Sequence, residues 1–292
     1  MKKIGLGIFV AVMILSLSGV AGAGGLLPVA DQAKEKAKAD NSPVIEKTDE
    51  HLVLTPPGLE KVVFIHYKKG FGKPGTKCGN GVCEPSENAN NCPADCGAGN
   101  GEEASACYAF LGKWVKWQEL PVSYVIDPAN PDGLLETFVT GAISAGAEEW
   151  DVWTGSELFN DAYAIIYDGS WDSDSPDGRN ELLFGNYPQE GVIAVTVVWG
   201  YFSGPPSSRK IVEFDILLDT DFTWGDATLD PAVMDLQNIA THELGHGVGL
   251  ADLYDTVCVD ETMYGYSNYG EITKRDLNTG DITGIQVLYG GF

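Results

Sequence analysis

Short apolar runs bounded by polar and turn-forming residues dominate the central part of the chain. Five of these runs are rich in Val, Ile, Tyr and Phe and predict strands at 120–126, 162–167, 181–184, 191–199 and 211–218. A sixth run of β type, at 62–67, lies well upstream and precedes the glycines of 70–75. We therefore expect a sheet built from the five central runs.

Apolar positions at helical spacing predict three helices, at 134–153, 234–247 and 280–290. The first helix carries a stripe of Leu, Phe, Ala and Trp that would lie across the sheet, with the second helix packed beside it. The third lies close to the end of the chain. Strands that alternate with helices indicate an α/β fold.

The first 23 residues have the pattern of a secretory signal peptide. Lys2 and Lys3 precede an apolar run at 4–17, and small residues follow at 21–23. The apolar run is short for a membrane span, and a retained N-terminal anchor is the alternative. Because no later apolar stretch is long enough to span a membrane, we expect a soluble, secreted, extracellular protein that has no membrane partner once the signal peptide is removed.

Two segments separate the signal peptide from the region that begins near residue 104. Residues 24–77 are polar and indicate a propeptide-like segment or a simple linker. Residues 78–97 form a small cysteine-rich module that contains Cys78, Cys83, Cys92 and Cys96. In a secreted chain these cysteines predict two disulfides, and the sequence leaves all three pairings open. Their spacing disfavours a zinc ribbon.

The chain is strongly acidic, with 42 Asp or Glu against 18 Lys or Arg and a formal net charge of -24. Nearly all of the excess falls after residue 104. This balance disfavours nucleic acids and anionic membranes as partners, because both bind basic surfaces. It suits calcium, for which one loop offers closely spaced oxygen ligands, with a solvated acidic loop as the alternative. The candidate calcium ligands are Asp172, Asp174, Asp177, Gly178, Asn180 and Glu181.

Two histidines four residues apart carry the clearest chemistry. His242 and His246 fall one turn apart on the helix predicted at 234–247, so both imidazoles can bind one metal ion, and the geometry suits zinc. Glu243 directly follows the first ligand. Its carboxylate can act as a general base and take a proton from a water molecule bound to that metal. The motif therefore predicts one catalytic zinc and the hydrolysis of an amide.

The third zinc ligand is expected to be a carboxylate. The other histidines, His51 and His66, lie far upstream, and a catalytic zinc takes three protein ligands while keeping one position open. Asp252 is the best candidate, because Gly249 can adopt a left-handed conformation that ends the helix and turns the chain back. The competing acidic residues nearby are Asp255, Asp260 and Glu261.

Residues 242–252, His-Glu-Leu-Gly-His-Gly-Val-Gly-Leu-Ala-Asp, resemble the extended zinc motif of the metzincin metalloproteases, with Asp252 in the last place as in snapalysin-type members. Downstream, 261–266 resembles the methionine-bearing turn, with Met263 beneath the zinc, and 280–290 is similar to the last helix of matrixins. The resemblance implies a matrixin-like catalytic domain over 104–292. Its α/β fold, of α+β metzincin type, would have a mixed, mostly parallel, five-stranded sheet with a backing helix, an active-site helix and a C-terminal helix.

The resemblance also implies how the site works. The protein would be a secreted, monomeric zinc endopeptidase, made as a zymogen, whose protein or peptide substrates add a strand to the edge strand at 191–199. The second, structural zinc of matrixins is expected to be absent, because the chain lacks the histidines for it. Cys107 and Cys258 are expected to form a disulfide that ties the start of the domain to the segment before the Met-turn.

Several alternatives stay open. A gluzincin-type peptidase would take its third ligand from Glu271, and a secreted calcium- or surface-binding module would keep zinc for structure alone. A thiolate from the 78–97 module would cap the zinc in a third alternative, although no Pro-Arg-Cys-Gly motif is present. No tyrosine is assigned to the oxyanion, because Gly265 stands where some metzincins carry one; those nearby are Tyr264, Tyr266 and Tyr269.

Overall fold

A computed structural model describes residues 58–72, 107–171 and 174–291. All of the described residues belong to one compact unit. The predicted signal peptide, the cysteine-rich module and most of the propeptide-like segment lie outside the described residues, as does Asp172. The expectations for these parts of the chain stay predictions.

The described residues contain nine strands in two sheets. The strands of the main sheet are β1 (Glu60–Lys68), β2 (Val125–Ile126), β3 (Ala164–Ile165), β4 (Glu181–Gly185), β5 (Val192–Tyr201), β6 (Lys210–Asp219) and β9 (Tyr266–Ser267). Their order across the sheet is β3-β2-β4-β6-β5-β1-β9. Two short strands, β7 (Trp224–Gly225) and β8 (Met234–Asp235), pair with each other beside it.

The main sheet is mixed and mostly parallel, which confirms the predicted α/β class. β2 pairs in parallel with β3 and β4, β4 with β6, and β1 with β9, whereas β5 is antiparallel to both β6 and β1. The sheet has seven strands among the described residues instead of the expected five. The upstream run at 62–67 joins it as part of β1, and β9 follows the Met-turn. The sequence did not predict these two strands in the sheet, because pairing between segments so far apart leaves no local pattern in the sequence.

Three α-helices accompany the sheet: α1 (Glu136–Asp151), α2 (Leu236–Gly247) and α3 (Thr279–Tyr289). They correspond to the three predicted helices. Short 3-10 turns connect other elements at Pro206–Ser208, Thr256–Cys258 and Thr273–Arg275. Within the part of the chain that the structure describes, no helix combines the length and apolar content needed to cross a membrane.

The hydrophobic core lies where α1 and α2 pack on the sheet. Every residue of β5 from Val192 to Gly200 is buried, since β6 and β1 flank its edges and helix α2 packs against it. Gly247 of α2 lies against Phe214 of β6, and a Cβ at that glycine would be 3.0 Å from the aromatic ring. The end of α2 therefore rests directly on the sheet.

One close crossing between α1 and α2 fixes the height of the second helix. A Cβ at Gly146 would lie 2.9 Å from the hydroxyl oxygen of Thr241 and 3.0 Å from its backbone nitrogen. One turn further along α1, the Trp150 indole N–H donates to the Thr241 carbonyl oxygen at 2.8 Å. The residue after Thr241 is His242, so this crossing positions its ring.

We predict that Gly146→Ala lowers the free energy of unfolding by about 1–3 kcal/mol, because the added methyl meets backbone that has little room to move. Gly141→Ala on the same helix is the matched control, since a Cβ there has no neighbour within 4 Å. The control should raise the free energy of unfolding by roughly 0.5–1 kcal/mol through helix propensity. Urea unfolding of both variants measures the change in the free energy of unfolding. Equal changes in the two variants would contradict a close contact between α1 and α2 at Gly146.

Candidate metal centre

Helix α2 begins at a firmly held N-terminus. The Asp235 carboxylate precedes the helix and accepts a hydrogen bond from the backbone N–H of Asn238 at 2.9 Å, which satisfies a free donor of the first turn. The same carboxylate accepts the backbone N–H of Ala227 at 2.8 Å and the Arg275 Nε–H at 2.8 Å. The start of α2 is therefore tied to two other segments, and its register toward the sheet is fixed.

His242 and His246 lie one turn apart on α2 with both rings buried. The Nδ1 of His242 is 2.7 Å from the Thr262 carbonyl oxygen, and the Nδ1 of His246 is 3.0 Å from that of Leu250. A carbonyl oxygen only accepts hydrogen bonds, so each Nδ1 carries the proton and donates it. Each Nε2 is then left with a lone pair, as metal ligation through this nitrogen requires.

The Asp252 carboxylate faces both histidines. Its Oδ1 lies 3.2 Å from Nε2 of His242 and 3.4 Å from Nε2 of His246. These three atoms are buried and have no hydrogen-bond partner among the described residues, although buried polar atoms are normally satisfied. Because they also lie within 4.8 Å of one another, the three donors fit a zinc ion with a fourth position left for water.

Gly249 turns the chain back toward the histidines. Its φ is +105°, in the region that side chains rarely adopt, and a Cβ there would lie 2.8 Å from the Val115 carbonyl oxygen. The Leu250 N–H donates to the Gly245 carbonyl at 3.0 Å and closes the end of α2. Asp252 follows two residues later beside the metal-facing nitrogens.

The competing acidic residues have other partners. Glu261 accepts the backbone N–H groups of Gly280 and Asp281 at the start of α3, and Asp255 caps the 3-10 turn Thr256–Cys258. Glu271 accepts hydrogen bonds from Lys274 at 2.7 Å and Ser267 at 3.2 Å. Asp260 is exposed. Among these candidates only Asp252 stands at the two imidazoles, so a gluzincin-type site through Glu271 is not supported.

A tyrosine that the sequence did not indicate holds the third carboxylate. The Tyr254 hydroxyl donates to Oδ2 of Asp252 at 3.0 Å, which leaves Oδ1 directed at the histidines. Burial, followed by the nearby Asp252, raises the pKa of Tyr254 above its ordinary value, so the phenol stays a donor. A Cβ at Gly265 would lie 2.5 Å from the tyrosine ring, and a larger residue there would displace it.

Helix α3 anchors the segment that contains Met263. The Asp281 carboxylate accepts the backbone N–H of Thr262 at 2.6 Å and of Met263 at 3.1 Å. The Thr262 carbonyl in turn accepts from His242, so a line of hydrogen bonds runs from α3 to the metal-facing ring. Met263 is buried, and its sulfur occupies the space that a side chain at Gly245 would need. It therefore lies beneath α2.

Both carboxylate oxygens of Glu243 are engaged. Oε2 accepts a hydrogen bond from the Thr196 hydroxyl on β5, and Oε1 lies 3.0 Å from Nδ1 of His66. The Glu243 side chain is fully buried, and burial raises the pKa of its carboxyl above the ordinary value. The candidate general base thus sits enclosed next to the three metal donors.

His66 is a second site residue that the sequence reasoning missed. It arrives on β1, and its Nε2 lies 3.1 Å from the Ser267 hydroxyl oxygen on β9. Burial and the nearby Lys274 lower its pKa to about 3, so the ring is neutral. Two residues earlier, Phe64 stacks on His246 with ring centroids 3.9 Å apart. The alternation of Phe64 and His66 within the apolar run at 62–67 was the available signal.

The acidic loop proposed for calcium is arranged around an arginine. The Arg179 guanidinium lies 2.9 Å from Glu181, 3.1 Å from Asp177 and 3.7 Å from Asp168. Asn180 bonds the backbone of Phe214 and Ser123, and Asp174 and Gly178 are exposed. The described part of this loop forms no group of ligands suited to a cation, so calcium binding stays a prediction from sequence.

A disulfide joins Cys107 to Cys258, the pair expected from the sequence, with their Cα atoms 5.4 Å apart. It connects the segment between β1 and β2 to the short turn before Met263. Gly280 of α3 packs directly against the Cys107 carbonyl. The bridge therefore closes the side of the site formed by α3 and the methionine segment.

Comparison with known proteins agrees with this geometry. Residues 202–290 match the Matrixin family of peptidases, and the matched segment contains all three candidate metal donors and Glu243. Over 182 residues the chain is 31% identical to Metalloendoproteinase 2-MMP of Arabidopsis thaliana, an alignment covering 58% of this chain and 41% of that protein. The chain thus spans about two fifths of the length of this relative. These similarities support a matrixin-like metalloprotease.

We predict that Tyr254→Phe lowers zinc affinity by roughly 10-fold, because loss of an outer hydrogen bond lets a ligating carboxylate rotate. Competition with a chromogenic chelator measures the affinity. Tyr269→Phe is the matched control, since this tyrosine is 37% exposed and packs on Phe222 away from the donors. An unchanged affinity in Tyr254→Phe would show that packing alone holds Asp252.

Proposed function

We propose that this protein is a secreted zinc endopeptidase that hydrolyses peptide bonds of proteins, with Glu243 as general base. One observation carries the proposal: three buried donor atoms, on His242, His246 and Asp252, converge without hydrogen-bond partners among the described residues. They do so beside a buried carboxylate. The match of residues 202–290 to the Matrixin family supports the same reaction class.

The donor set determines the charge at the site. When bound, zinc would acidify a water molecule and polarise the carbonyl of the scissile bond. The two imidazoles are neutral donors, whereas Asp252 is anionic. The Tyr254 hydroxyl donates to Oδ2 of Asp252 and supports the ionised form of this carboxylate. The donors therefore contribute one negative charge, where three histidines would contribute none.

Glu243 supplies the proton transfer. Its raised pKa brings the carboxylate closer to the range in which a group both accepts and returns a proton efficiently. The Thr196 hydroxyl holds Oε2, which leaves Oε1 as the oxygen that exchanges partners. In the proposed reaction Oε1 takes a proton from the attacking water and delivers it to the amine of the leaving peptide.

The number of donors favours catalysis over a structural role for the metal. A structural zinc usually takes four protein ligands, whereas the group around Asp252 offers three. The predicted signal peptide and the Cys107–Cys258 disulfide both support an extracellular location, because disulfides persist in oxidising compartments. We propose a monomer that acts on proteins or peptides, since a net charge of -24 makes copies of the chain repel one another.

The decisive variant is Glu243→Gln, which keeps the shape of the side chain and removes its basicity. We expect hydrolysis of a quenched peptide library to fall by about 10²–10⁴-fold, the usual contribution of a general base. Zinc content, measured by elemental analysis, should stay at the wild-type level. Glu119→Gln, at an exposed position outside the site, is the control. Activity that survives in Glu243→Gln, or that persists in chelator, would refute the proposal.

Replacing Asp252 with histidine tests the charge argument separately. Asp252→His removes the negative charge of the donor set, so water at the site should lose its proton more easily. We expect the acidic limb of the pH–rate profile to move to lower pH in the variant that still binds zinc. An acidic limb that stays in place or moves to higher pH would contradict the role assigned to the carboxylate.

A further inference from the structure

Positive charge in the region after residue 104 is concentrated in one place. Of the seven basic residues there, three have ion pairs with Asp or Glu side chains: Arg179, Lys274 and Arg275. The other four form no ion pair among the described residues: Lys113, Lys116, Arg209 and Lys210. These four fall in two short segments, 113–118 and 204–211, which contain no Asp or Glu. The two segments therefore have the opposite charge to the acidic chain around them.

Hydrogen bonds join the two basic segments into one surface. The Arg209 guanidinium donates from Nη1 to the Lys113 carbonyl oxygen at 2.7 Å. The Gln118 side-chain amide donates to the Arg209 carbonyl oxygen at 3.1 Å, and the Ile211 N–H donates to the Lys116 carbonyl oxygen at 3.1 Å. All of these acceptors are neutral backbone carbonyls. The positive charge of Arg209 is therefore held in place without being neutralised.

An exposed tryptophan lies within this surface. Trp114 has a φ of +62°, which no other non-glycine residue matches in sign among the described residues, and its side chain is 50% exposed. Its neighbours face inward: Val115 is buried, and the Trp117 indole donates to the Gly247 carbonyl oxygen at 2.7 Å. Strained backbone of this kind persists where surrounding structure holds it, often at binding sites. We call the following residues the basic patch: Lys113, Trp114, Lys116 and Arg209.

We propose that the basic patch binds a carboxylated polysaccharide, with Trp114 stacked on a sugar ring and Lys113 and Arg209 paired with carboxylates of the sugars. An exposed indole offers a flat apolar face, which matches the C–H face of a pyranose ring. The ammonium of Lys116 lies 5.3 Å from the ring centre of Tyr289 and adds charge at the border of the patch. This binding function is additional to the proposed endopeptidase activity and does not depend on it.

The acidity of the remaining surface selects against other polyanions. An anionic bilayer carries its charge over a plane, so it would also face the acidic surface around the patch. Each strand of a nucleic acid carries one charge per roughly 3.4 Å, and this dense charge would extend beyond the patch. A polysaccharide with one carboxylate per sugar has a lower charge density, and its rings supply flat faces that an acidic peptide lacks. The carboxylated polysaccharide therefore fits the patch best.

The test measures binding of the full chain to immobilised polygalacturonate, which carries one carboxylate per sugar. Its methyl ester is the matched probe, because it keeps the sugars and removes their charge. Lys113→Gln removes one charge of the patch, and its control is Lys69→Gln, at an exposed position beside β9. Trp114→Gly removes the ring, and its control is Trp153→Ala, which removes a 37% exposed indole just after α1.

We expect the wild type and both controls to bind polygalacturonate and not its methyl ester. Binding should weaken by roughly 10-fold in Trp114→Gly, the loss typical of a central aromatic contact, and by less in Lys113→Gln. It should also weaken as salt rises, because exposed charges are screened. Glycine adopts a positive φ without strain, so Trp114→Gly should unfold at the same urea concentration as the wild type or a higher one. Its loss of binding is then not a loss of folding.

Two kinds of result would overturn the inference. The first is a wild type that does not bind polygalacturonate at low salt, or that binds it no more tightly than Trp114→Gly and Lys113→Gln do. The second is tighter binding of another polyanion, for which polyglutamate, a single-stranded oligothymidylate and phosphatidylserine vesicles are the probes. Neither result bears on the endopeptidase proposal, because hydrolysis of the peptide library measures that activity separately.

Discussion

The site depends on two backbone carbonyls that hold the protons of its histidines. Thr262 accepts from Nδ1 of His242 and Leu250 from Nδ1 of His246, so both Nε2 lone pairs point into one buried space. Each carbonyl is itself fixed, the first by the bonds of Asp281 to the Met263 segment and the second by the Gly249 turn. The arrangement of the candidate metal donors thus follows from loop backbone as much as from the donor side chains.

Elements far from the donors in the sequence also determine where the donors lie. The α1 crossing at Gly146 sets the height of α2, and the cap at Asp235 sets its start. Tyr254 aims the carboxylate of Asp252, for which Gly265 leaves room. Each support acts through hydrogen bonds or close contacts of buried groups, and such interactions tolerate little displacement.

Local pattern in the sequence predicted much of this arrangement. The spacing of His242 and His246 requires only helix geometry, and the strands and helices follow from periodicity, so these parts could be predicted from the sequence. The place of β1 in the sheet could not be predicted, because β1 pairs with β5, which lies far along the chain. His66 was assigned to an upstream segment for that reason. Tyr254 gave no signal because its role arises from the shape of the turn, and the ion pairs of Arg179 with the acidic loop residues are not visible in the composition.

The burial of β5 has a consequence for the protein once β1 is removed. Val192–Tyr201 is a ten-residue strand made largely of β-branched and aromatic residues, without a charge. Exposed along one edge, such a strand is a template for pairing with another copy and for aggregation. If β1 leaves β5, the protein depends on bound peptide, or on dilution, to remain dispersed.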